Sequence, residues 1–339
     1  MCARLLVVLY LTVVCAITAM AVQFTVPGTR QITKPVTASA ESSVEYIYSS
    51  SEQRSDPEFN ARVALPSYNN KHPRVLFDEA HNNDTSSGRY KPFTDLITSD
   101  GYRVTTNSTR FSSRTLKDYQ ILVIVNASGP SASRDASAFT EEECDVASKW
   151  VNDGGSLLLI TDQAPYSTAV AELAKRFAVD LTKGYTVEPV HFNKESSDQT
   201  EIVFTREEGL VGDHAITNGR DPNERINRVI CFTGTSLKGP EGSVSFLKLA
   251  STAMDVLPPE RKATVTGEAS SDHRPVTAAG RAIGVAFGFG KGRIVVFTEA
   301  AMLTAQVTPG GIRFGMNFGG TDNRQLALNT MHWLSRLLN

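Results

Sequence analysis

Residues 74–83 read R-V-L-F-D-E-A-H-N-N, and this stretch decides how the rest of the chain is interpreted. The apolar run 75–77 ends abruptly in a set of polar residues, namely Asp78, Glu79, His81, Asn82 and Asn83. Short apolar runs of this kind are typical of parallel strands that are buried on both faces. Open α/β sheets bind ligands just outside the carboxyl ends of such strands. The stretch therefore predicts a strand that delivers polar side chains to a site.

Segments with strand and helix patterns alternate through the first half of the chain. Apolar runs predict strands over residues 75–77, 102–106, 121–125 and 156–160. Apolar residues at helical spacing predict helices over residues 90–99, 140–151 and 167–177. Thr140 and Glu143 have the spacing of a capping box at the start of the second helix. The β-α-β order predicts a parallel sheet with right-handed crossovers.

The second half of the chain predicts strands with few helices between them. The strands lie over residues 185–192, 201–205 and 228–233, and a hairpin pairs 282–287 with 293–298 around the glycine-rich turn 288–292. A last helix is predicted over 323–338 from its apolar face. The predicted fold class is α/β, with a mostly parallel sheet flanked by helices and an antiparallel extension in the second half.

The pattern of the first 22 residues indicates that the protein is exported. Arg4 precedes the almost wholly apolar run 5–22, and Ala19-Met20-Ala21 fits a signal-peptidase site, so we expect a signal peptide over 1–21. An uncleaved membrane anchor is the alternative, because the apolar run approaches the length of a spanning helix. Membrane contact is expected only through this segment, and the protein is expected to be secreted or periplasmic. Residues 22–72 are polar and predict a lead-in or linker before an α/β domain over 73–339.

The composition is that of an ordinary globular protein, with 339 residues of which 41% are hydrophobic and 21% charged. The formal net charge of −2 lacks the basic character of nucleic-acid-binding proteins, so no nucleic-acid partner is expected. Cys2 and Cys15 belong to the expected signal peptide. Cys144 and Cys231 could form a disulfide or stay as two buried thiols, and the sequence leaves both open.

Several segments resemble the class I glutamine-amidotransferase-like superfamily. They are 75–81, 154–162, 214–219 (H-A-I-T-N-G), 290–299 (G-K-G-R-I-V-V-F-T-E) and 323–334 (N-R-Q-L-A-L-N-T-M-H-W-L). More narrowly, the chain is similar to the nucleophile-lacking branch related to gliding-motility and intraflagellar-transport auxiliary domains. The resemblance covers about residues 73–338 and implies a flavodoxin-like, amidotransferase-like sheet.

The chain departs from the working enzymes of that superfamily at the two positions that carry their chemistry. Those enzymes place a cysteine in a tight turn after the fourth strand, where this chain has T-D-Q-A-P at 161–165. They place a histidine after a late strand, which here ends in Thr298 and Glu299. Because a thiolate is the nucleophile of that reaction, the chain is not expected to be a functional glutamine amidotransferase.

Polar residues at several strand ends should converge at one edge of the predicted sheet. The candidate catalytic residues are Asp78, Glu79, His81, Asp162 and Glu299. The candidate ligand-binding residues are Asp78, His81, Asn82, Asn83, Asp162, Gln163, Glu299, Gln306 and Asn317. Carboxylates beside an imidazole suit acid–base chemistry or a divalent metal, for which the candidate ligands are Asp78, His81, Asp162 and Glu299. A purely structural pair of Asp78 with His81 is the alternative.

The leading functional hypothesis is an exported domain that binds a small polar ligand, carbohydrate-like in view of the expected export. No cofactor is predicted. A divalent metal belongs to the first alternative, a hydrolase that uses the carboxylate and histidine residues. The second alternative is an interaction module of the cell envelope, as the auxiliary-domain resemblance implies. The glycine-dense segment 310–323 is interpreted as a lid over the site or as a long surface loop.

Overall fold

A mostly parallel sheet forms the centre of the domain. The computed structural model describes residues 53–129, 136–258 and 273–339. The expected signal peptide at 1–21 and the first part of the lead-in, 22–52, lie outside these described residues. Within the described ranges, no helix combines the length and the apolar character needed to cross a membrane.

The elements have the following bounds. In chain order the strands are β1 (Arg54–Ser55), β2 (Arg74–Asp78), β3 (Arg103–Asn107), β4 (Ile121–Val125), β5 (Ser156–Ile160), β6 (Asp180–Leu181), β7 (Tyr185–Val187), β8 (Val203–Thr205), β9 (Arg228–Ile230), β10 (Leu237–Lys238), β11 (Val244–Lys248), β12 (Met254–Leu257), β13 (Arg274–Thr277), β14 (Ala282–Phe289), β15 (Gly292–Phe297), β16 (Ala305–Val307) and β17 (Arg313–Gly315). The helices are α1 (Lys91–Ser99), α2 (Ser113–Leu116), α3 (Glu141–Asn152), α4 (Tyr166–Ala169), α5 (Ala171–Arg176), α6 (Ala215–Asn218) and α7 (Asn323–Leu334).

The large sheet has the strand order β3-β2-β4-β5-β15-β14-β10-β6, with β11 also paired to β14. The strands from β3 to β15 in this order run parallel to one another. The β14–β15 hairpin then reverses the direction, and β10 and β11 continue antiparallel. The predicted α/β class, with a mostly parallel sheet and an antiparallel extension, is therefore confirmed.

Helices cover both faces of the sheet, which explains why β4 and β5 are buried along their whole length. Successive side chains of a strand point to opposite faces, so Val75 and Phe77 enter one core and Leu76 the other. The core that contains Val75 and Phe77 also contains the buried faces of α1 and α7. The opposite core contains those of α3 and α5. The result is a three-layer arrangement.

Residues 53–72, which composition assigns to the lead-in, belong to the packed domain. β1 pairs with β16, and the Ser67 backbone N–H donates to Asp100 Oδ1 at 2.8 Å. Tyr68 Oη donates to Ser335 Oγ at 2.7 Å, just beyond α7. This is a correction to the domain boundary at residue 73. The prediction differs from the structure because polar residues of this segment form hydrogen bonds with distant elements, and composition alone does not reveal such bonds.

The second half of the chain differs from the sequence pattern in detail. The strands predicted over 185–192 and 228–233 are only three residues long, as β7 and β9. The single helix predicted over 167–177 is two short helices, because the Ala169 carbonyl accepts a hydrogen bond from Ala138 N at 2.8 Å. The segment 310–323 contains β17, which pairs with β16, so it is not one long loop.

The two remaining cysteines do not form a disulfide. Cys144 and Cys231 are both free and buried. Cys144 lies on α3 in one core, while Cys231 follows β9 in the core on the opposite face of the sheet. The sheet separates the two thiols.

Candidate functional site

Asp162 and Glu299 leave the sheet side by side. β5 and β15 are neighbouring parallel strands in which Ile160 is paired with Phe297. Both of these residues face the same core. Two residues later, Asp162 and Glu299 therefore project to that same side, at the carboxyl edge of the sheet. The sequence analysis named both residues as candidate site residues, and a binding or catalytic role for them stays a prediction.

Glu299 is fully buried. Its carboxyl group accepts hydrogen bonds from Ala301 N at 2.6 Å and from Met302 N at 2.7 Å. A third backbone N–H, from Phe232, also donates to it. Burial nevertheless outweighs these donors and raises the pKa of Glu299 to about 8. Glu299 therefore keeps a large protonated fraction at neutral pH.

Asp162 is half-buried as a residue, although its carboxyl group lies in an enclosed environment. Burial raises the pKa of Asp162 well above its usual range, and the negative charge of Glu299 raises it further. Hydrogen bonds from the backbone N–H groups of Gln163 and Ala300 oppose this shift. Two neighbouring acids that both resist ionisation titrate as a pair.

Asp84 is the third carboxylate in this region. Its backbone N–H donates to the carbonyl of Val125 at 3.2 Å, so the loop after β2 crosses the end of β4. Asn126, the residue after β4, donates from Nδ2 to Asp84 Oδ2 at 3.0 Å. The negative charge of Asp84 also raises the pKa of Asp162. Asp84, Asp162 and Glu299 are called the carboxyl cluster below.

Two tyrosines and an arginine surround the carboxyl cluster. Tyr90 is fully buried and donates from Oη to the Ala300 carbonyl at 2.6 Å. Burial raises its pKa, as do the charges of all three cluster carboxylates, while Arg89 lowers it. Burial likewise raises the pKa of the half-buried Tyr166, together with the charges of Asp84 and Asp162. Tyr90 and Tyr166 are thus aromatic neighbours of the cluster carboxylates, and Arg89 is a nearby cation.

Asp78 and His81 belong to a different group of residues. His81 contacts Asp78 Oδ2 through Nδ1 at 2.7 Å and Glu143 Oε1 through Nε2 at 2.9 Å. His81 is 6% exposed, and its imidazole packs against both Phe111 and Phe139 at an interplanar angle of 53°. Burial alone would lower the pKa of His81, but Asp78 and Glu143 outweigh it and raise the pKa. Asp78, His81 and Glu143 are called the histidine cluster below.

The structure does not bring the histidine cluster into the carboxyl cluster, which corrects the expectation of one shared site. β4 lies between β2 and β5, so the ends of these two strands are roughly 10 Å apart. Both ring nitrogens of His81 are already bound to protein carboxylates, so the imidazole has no nitrogen left for a ligand. The structural pair of Asp78 with His81, the alternative in the sequence analysis, describes their arrangement.

The other residues of the first stretch stabilise the loop after β2. Glu79 Oε1 accepts hydrogen bonds from Ser86 N at 2.8 Å and from Ser86 Oγ at 2.6 Å. Asn83 Oδ1 accepts from the His81 backbone N–H at 2.8 Å. Asn82 has a φ of 49°, and its carbonyl accepts from Ser128 Oγ. These contacts shape the loop that carries Asp84 to the end of β4.

Gln306 and Asn317 are connected to Glu299 through hydrogen bonds. Thr304 Oγ1 donates to the carbonyl of Ala301, whose N–H binds Glu299, and Gln306 Nε2 donates to Thr304 Oγ1 at 2.8 Å. Asn317 Nδ2 donates to the Gln306 carbonyl at 3.1 Å and to Asp56 Oδ2 at 2.8 Å. They form an outer polar layer on the β15 side of the site.

No divalent-metal centre is formed by the described residues. Across 53–129, 136–258 and 273–339, no group of three or more His, Cys, Asp or Glu side chains is arranged to hold a metal ion. The candidate ligands Asp78, His81, Asp162 and Glu299 are divided between the two clusters. The structure thus separates the imidazole from the carboxyl pair.

The loop after β9 closes the site beside Glu299, and sequence reasoning did not include it. Gly234 is required there because an added Cβ would lie 2.9 Å from the Glu299 Cβ. Thr233 has a φ of 69°, a strained conformation for a β-branched residue. Phe232 packs against Phe314 and Phe318, which places an aromatic group next to the Glu299 turn. The only feature of the sequence that could have indicated this loop is its position after the apolar run that ends near Cys231.

The fold is shared with distant solved structures. The N-terminal domain of mmIFT52 has a TM-score of 0.54 at 14% sequence identity, and the alignment covers 77% of this chain and 97% of that domain. A ThuA-like protein from Bacteroides uniformis ATCC 8492 gives a TM-score of 0.37 at 13% identity, covering 80% of this chain and 95% of that one. The cytoplasmic protein STM3548 from Salmonella typhimurium gives 0.42 at 10% identity, covering 77% and 98%.

The class defined by these findings is an α/β domain with the fold of the mmIFT52 N-terminal domain. No protein-family model matches the chain, and no curated protein matches its sequence. The likeness to solved structures, at this level of identity, shows the fold alone.

Proposed function

We propose that the domain binds a small, hydroxyl-bearing polar ligand at the carboxyl cluster, as a nucleophile-lacking member of the amidotransferase-like superfamily. The observation that carries this proposal is the pairing of Asp162 with Glu299 at two adjacent strand ends. Glu299 is fully buried, and Asp162 as a whole residue is partly exposed. Sites in open α/β sheets lie at this edge.

The protonation behaviour of the pair supports a hydroxyl-bearing ligand. Because the pKa of Glu299 is raised to about 8, this residue offers a carboxyl O–H donor at neutral pH and a carboxylate acceptor above it. Each hydroxyl of a sugar both donates and accepts, so it is complementary to such a carboxyl group. The half-buried Tyr166 adds a ring face for the C–H groups of a sugar. Carbohydrate is also the ligand class that the expected export favours.

The test is ligand binding by variants that keep the shape of the site. Binding of neutral hexoses and disaccharides to the full chain is measured by protein-observed NMR, together with Asp162→Asn and Glu299→Gln. We expect binding to the unmodified protein and at least about a tenfold loss in each variant. Asp213→Asn is the matched control, because Asp213 is exposed and paired with Arg206 away from the site. Binding that is unaffected by both site variants would contradict the proposal.

One observation favours a hydrolase as the second candidate. An acid with a pKa of about 8 beside another carboxyl group has the protonation behaviour of a general acid. Incubation with nitrophenyl glycosides at pH 5–8 tests this candidate. If nitrophenol is released by the unmodified protein and not by Glu299→Gln, the site is catalytic and does not only bind a ligand.

The interaction-module alternative has no specific observation in its favour. The large apolar side chains that are exposed in the described residues lie in three separate segments and are Leu65, Val190 and Ile312.

A further inference from the structure

We propose that the histidine cluster is a proton-dependent latch. In this latch, the doubly protonated ring of His81 holds the loop after β2 against the start of α3, and it releases the loop when it loses one proton. The loop after β2 connects β2 to α1 and carries Asp84 to the end of β4. The latch needs no ligand at the carboxyl cluster, so it is independent of the proposed function.

The two contacts of His81 require a hydrogen atom on each ring nitrogen. Nδ1 lies 2.7 Å from Asp78 Oδ2, and Nε2 lies 2.9 Å from Glu143 Oε1, so both are hydrogen-bond distances. A neutral imidazole has a single N–H, and one contact would then bring a nitrogen lone pair against a carboxylate oxygen. The imidazolium donates from both nitrogens and satisfies both carboxylates.

The second proton belongs to the ring, because both carboxyl groups accept hydrogen bonds from further donors. Asp78 Oδ1 accepts from Asn107 Nδ2 at 3.0 Å. Glu143 accepts from the backbone N–H groups of Phe111 and Thr140, both at 3.0 Å. Such donors favour the ionised carboxylate. The geometry therefore describes an imidazolium between two carboxylates.

The backbone of His81 fixes the same loop to the end of β4. Its N–H donates to Asn83 Oδ1 at 2.8 Å, and its carbonyl accepts from Ser128 N at 2.9 Å. Asp84, the residue after Asn83, donates from its own N–H to the last residue of β4. His81 thus joins the loop to α3 through the ring and to β4 through the backbone. Loss of the ring contacts would loosen the segment that carries Asp84.

The surroundings of the ring set the direction of the pH dependence. Among the described residues, the charged groups that act on His81 are Asp78 on β2 and Glu143 on α3. Phe111 and Phe139 present aromatic rings to it. Burial lowers the pKa of His81, but the two carboxylates outweigh burial and raise the pKa above its ordinary value of 6.5. The contribution of the latch is therefore fully present below pH 6.5 and is lost as the pH rises through the folded value.

NMR and hydrogen exchange on the full chain between pH 5 and pH 9 test the latch. The ring resonances of His81 report its titration. The exchange rates of the Asp84, Ser86 and Ser128 amides, corrected for the intrinsic rate, report opening of the loop. We expect protection of these amides to fall at least about tenfold as the ring titrates, while amides of α7 stay protected. Unchanged protection through the titration, or a ring that is neutral at pH 5, would overturn the latch.

Asp78→Asn distinguishes a latch from a purely structural cluster. The asparagine side chain keeps the shape of the aspartate, accepts from Asn107 through its oxygen and donates to His81 Nδ1 through its nitrogen. A neutral ring then donates from Nε2 to Glu143, so both contacts are made without the second proton. We expect the loop amides of Asp78→Asn to keep their protection within about twofold from pH 5 to pH 9, and its His81 to titrate at a lower pH. Loss of protection as in the unmodified protein would contradict the latch.

Glu299→Gln is the matched control for pH dependence that arises elsewhere. Glu299 also titrates within this pH range, but it lies in the carboxyl cluster. The variant should keep the full change in loop protection, because its histidine cluster is intact. If the change disappeared in Glu299→Gln, it would belong to Glu299, and the latch would be overturned. The titration of the unmodified protein decides the question independently of both variants.

Discussion

The histidine cluster and the carboxyl cluster lie at the same edge of one sheet, yet the pKa of Glu143 in the first and that of Glu299 in the second are shifted in opposite directions. In the histidine cluster, burial would raise the pKa of Glu143, but hydrogen bonds from Thr140, His81 and Phe111 outweigh it and lower the pKa. In the carboxyl cluster, burial prevails, and the pKa values of Asp162 and Glu299 are raised. Glu143 differs from Glu299 in that a backbone donor, Thr140, acts together with the His81 imidazole to lower its pKa.

The two clusters differ in the role that their contacts support. The histidine cluster is internally satisfied, and it joins β2 to the start of α3, since Glu143 also forms the capping box with Thr140. In the carboxyl cluster the pKa of Glu299 is raised to about 8, and a shift of this kind is typical of functional sites. The same edge of the sheet therefore carries one structural and one candidate binding group.

The largest expected effect is on the histidine cluster. His81→Ala leaves Asp78 and Glu143 buried without their cation, so we expect the free energy of unfolding to fall by about 3–5 kcal/mol. Urea denaturation followed by circular dichroism measures this change. His191→Ala is the control, because the His191 side chain is 20% exposed and should contribute less than about 1 kcal/mol. If His81→Ala lowered the free energy of unfolding by less than about 1 kcal/mol, His81 would not be stabilising the buried carboxylates of the histidine cluster.

In the carboxyl cluster we expect a smaller change in the free energy of unfolding, and this change depends on pH. The pKa of Glu299 is raised from 4.5 to about 8 on folding, so the folded state binds more protons than the unfolded state between these values. The contribution of Glu299 is therefore fully present below pH 4.5 and is lost as the pH rises towards 8. Glu299→Gln cannot ionise, so it should gain on the order of 3 kcal/mol relative to the unmodified protein between pH 5 and pH 8.

Parallel urea denaturation of the two proteins at pH 5 and pH 8 checks this prediction. Asp153→Asn is a suitable control, because Asp153 is an exposed partner of Lys149 and its substitution should leave the pH dependence unchanged. A Glu299→Gln variant whose stability follows the same pH dependence as the unmodified protein would mean that Glu299 is ionised throughout. The contrast with the histidine cluster would then disappear.

The smallest effect concerns Asn126, which lies at the end of β4. Asn126 has a φ of 46°, a conformation that favours glycine over alanine by about 1 kcal/mol. Asn126→Gly removes the Asp84 hydrogen bond together with the buried Oδ1 that lacks a partner in the described ranges, so we expect a change within about 1 kcal/mol. Asn126→Ala should be less stable than Asn126→Gly by about 1 kcal/mol. Thermal denaturation of both variants measures the difference, and equal stabilities would argue against backbone strain at this position.

Much of the parallel part of the fold could be predicted from local patterns. The bounds of β4 and β5 follow from the apolar runs 121–125 and 156–160, because strands buried on both faces leave an uninterrupted apolar pattern. The capping box of α3 follows from Thr140 and Glu143. The β14–β15 hairpin follows from its glycine-rich turn. The short strands of the second half could not be bounded in this way, since a strand of three residues has too little pattern.

The candidate site could be predicted only in part. Sequence reasoning identified Asp162 and Glu299, because each follows an apolar run that must end at the edge of the sheet. It did not identify Asp84 or Tyr166 as site residues. Asp84 reaches the cluster because the loop after β2 bends across the end of β4. That bend depends on hydrogen bonds from Ser86 to Glu79 and from the His81 backbone to Asn83, and no periodicity encodes them.

The sequence by itself determined the α/β fold class and the positions of the long buried strands. These properties depend on apolar periodicity and on residue identity, both of which are local. Only the tertiary structure decided that His81 pairs with Asp78 and Glu143 and is separated from Asp162 and Glu299. Strand order is a non-local property, and it places β4 between the two groups. The charge that each carboxyl group carries then follows from which neighbours the strand order supplies.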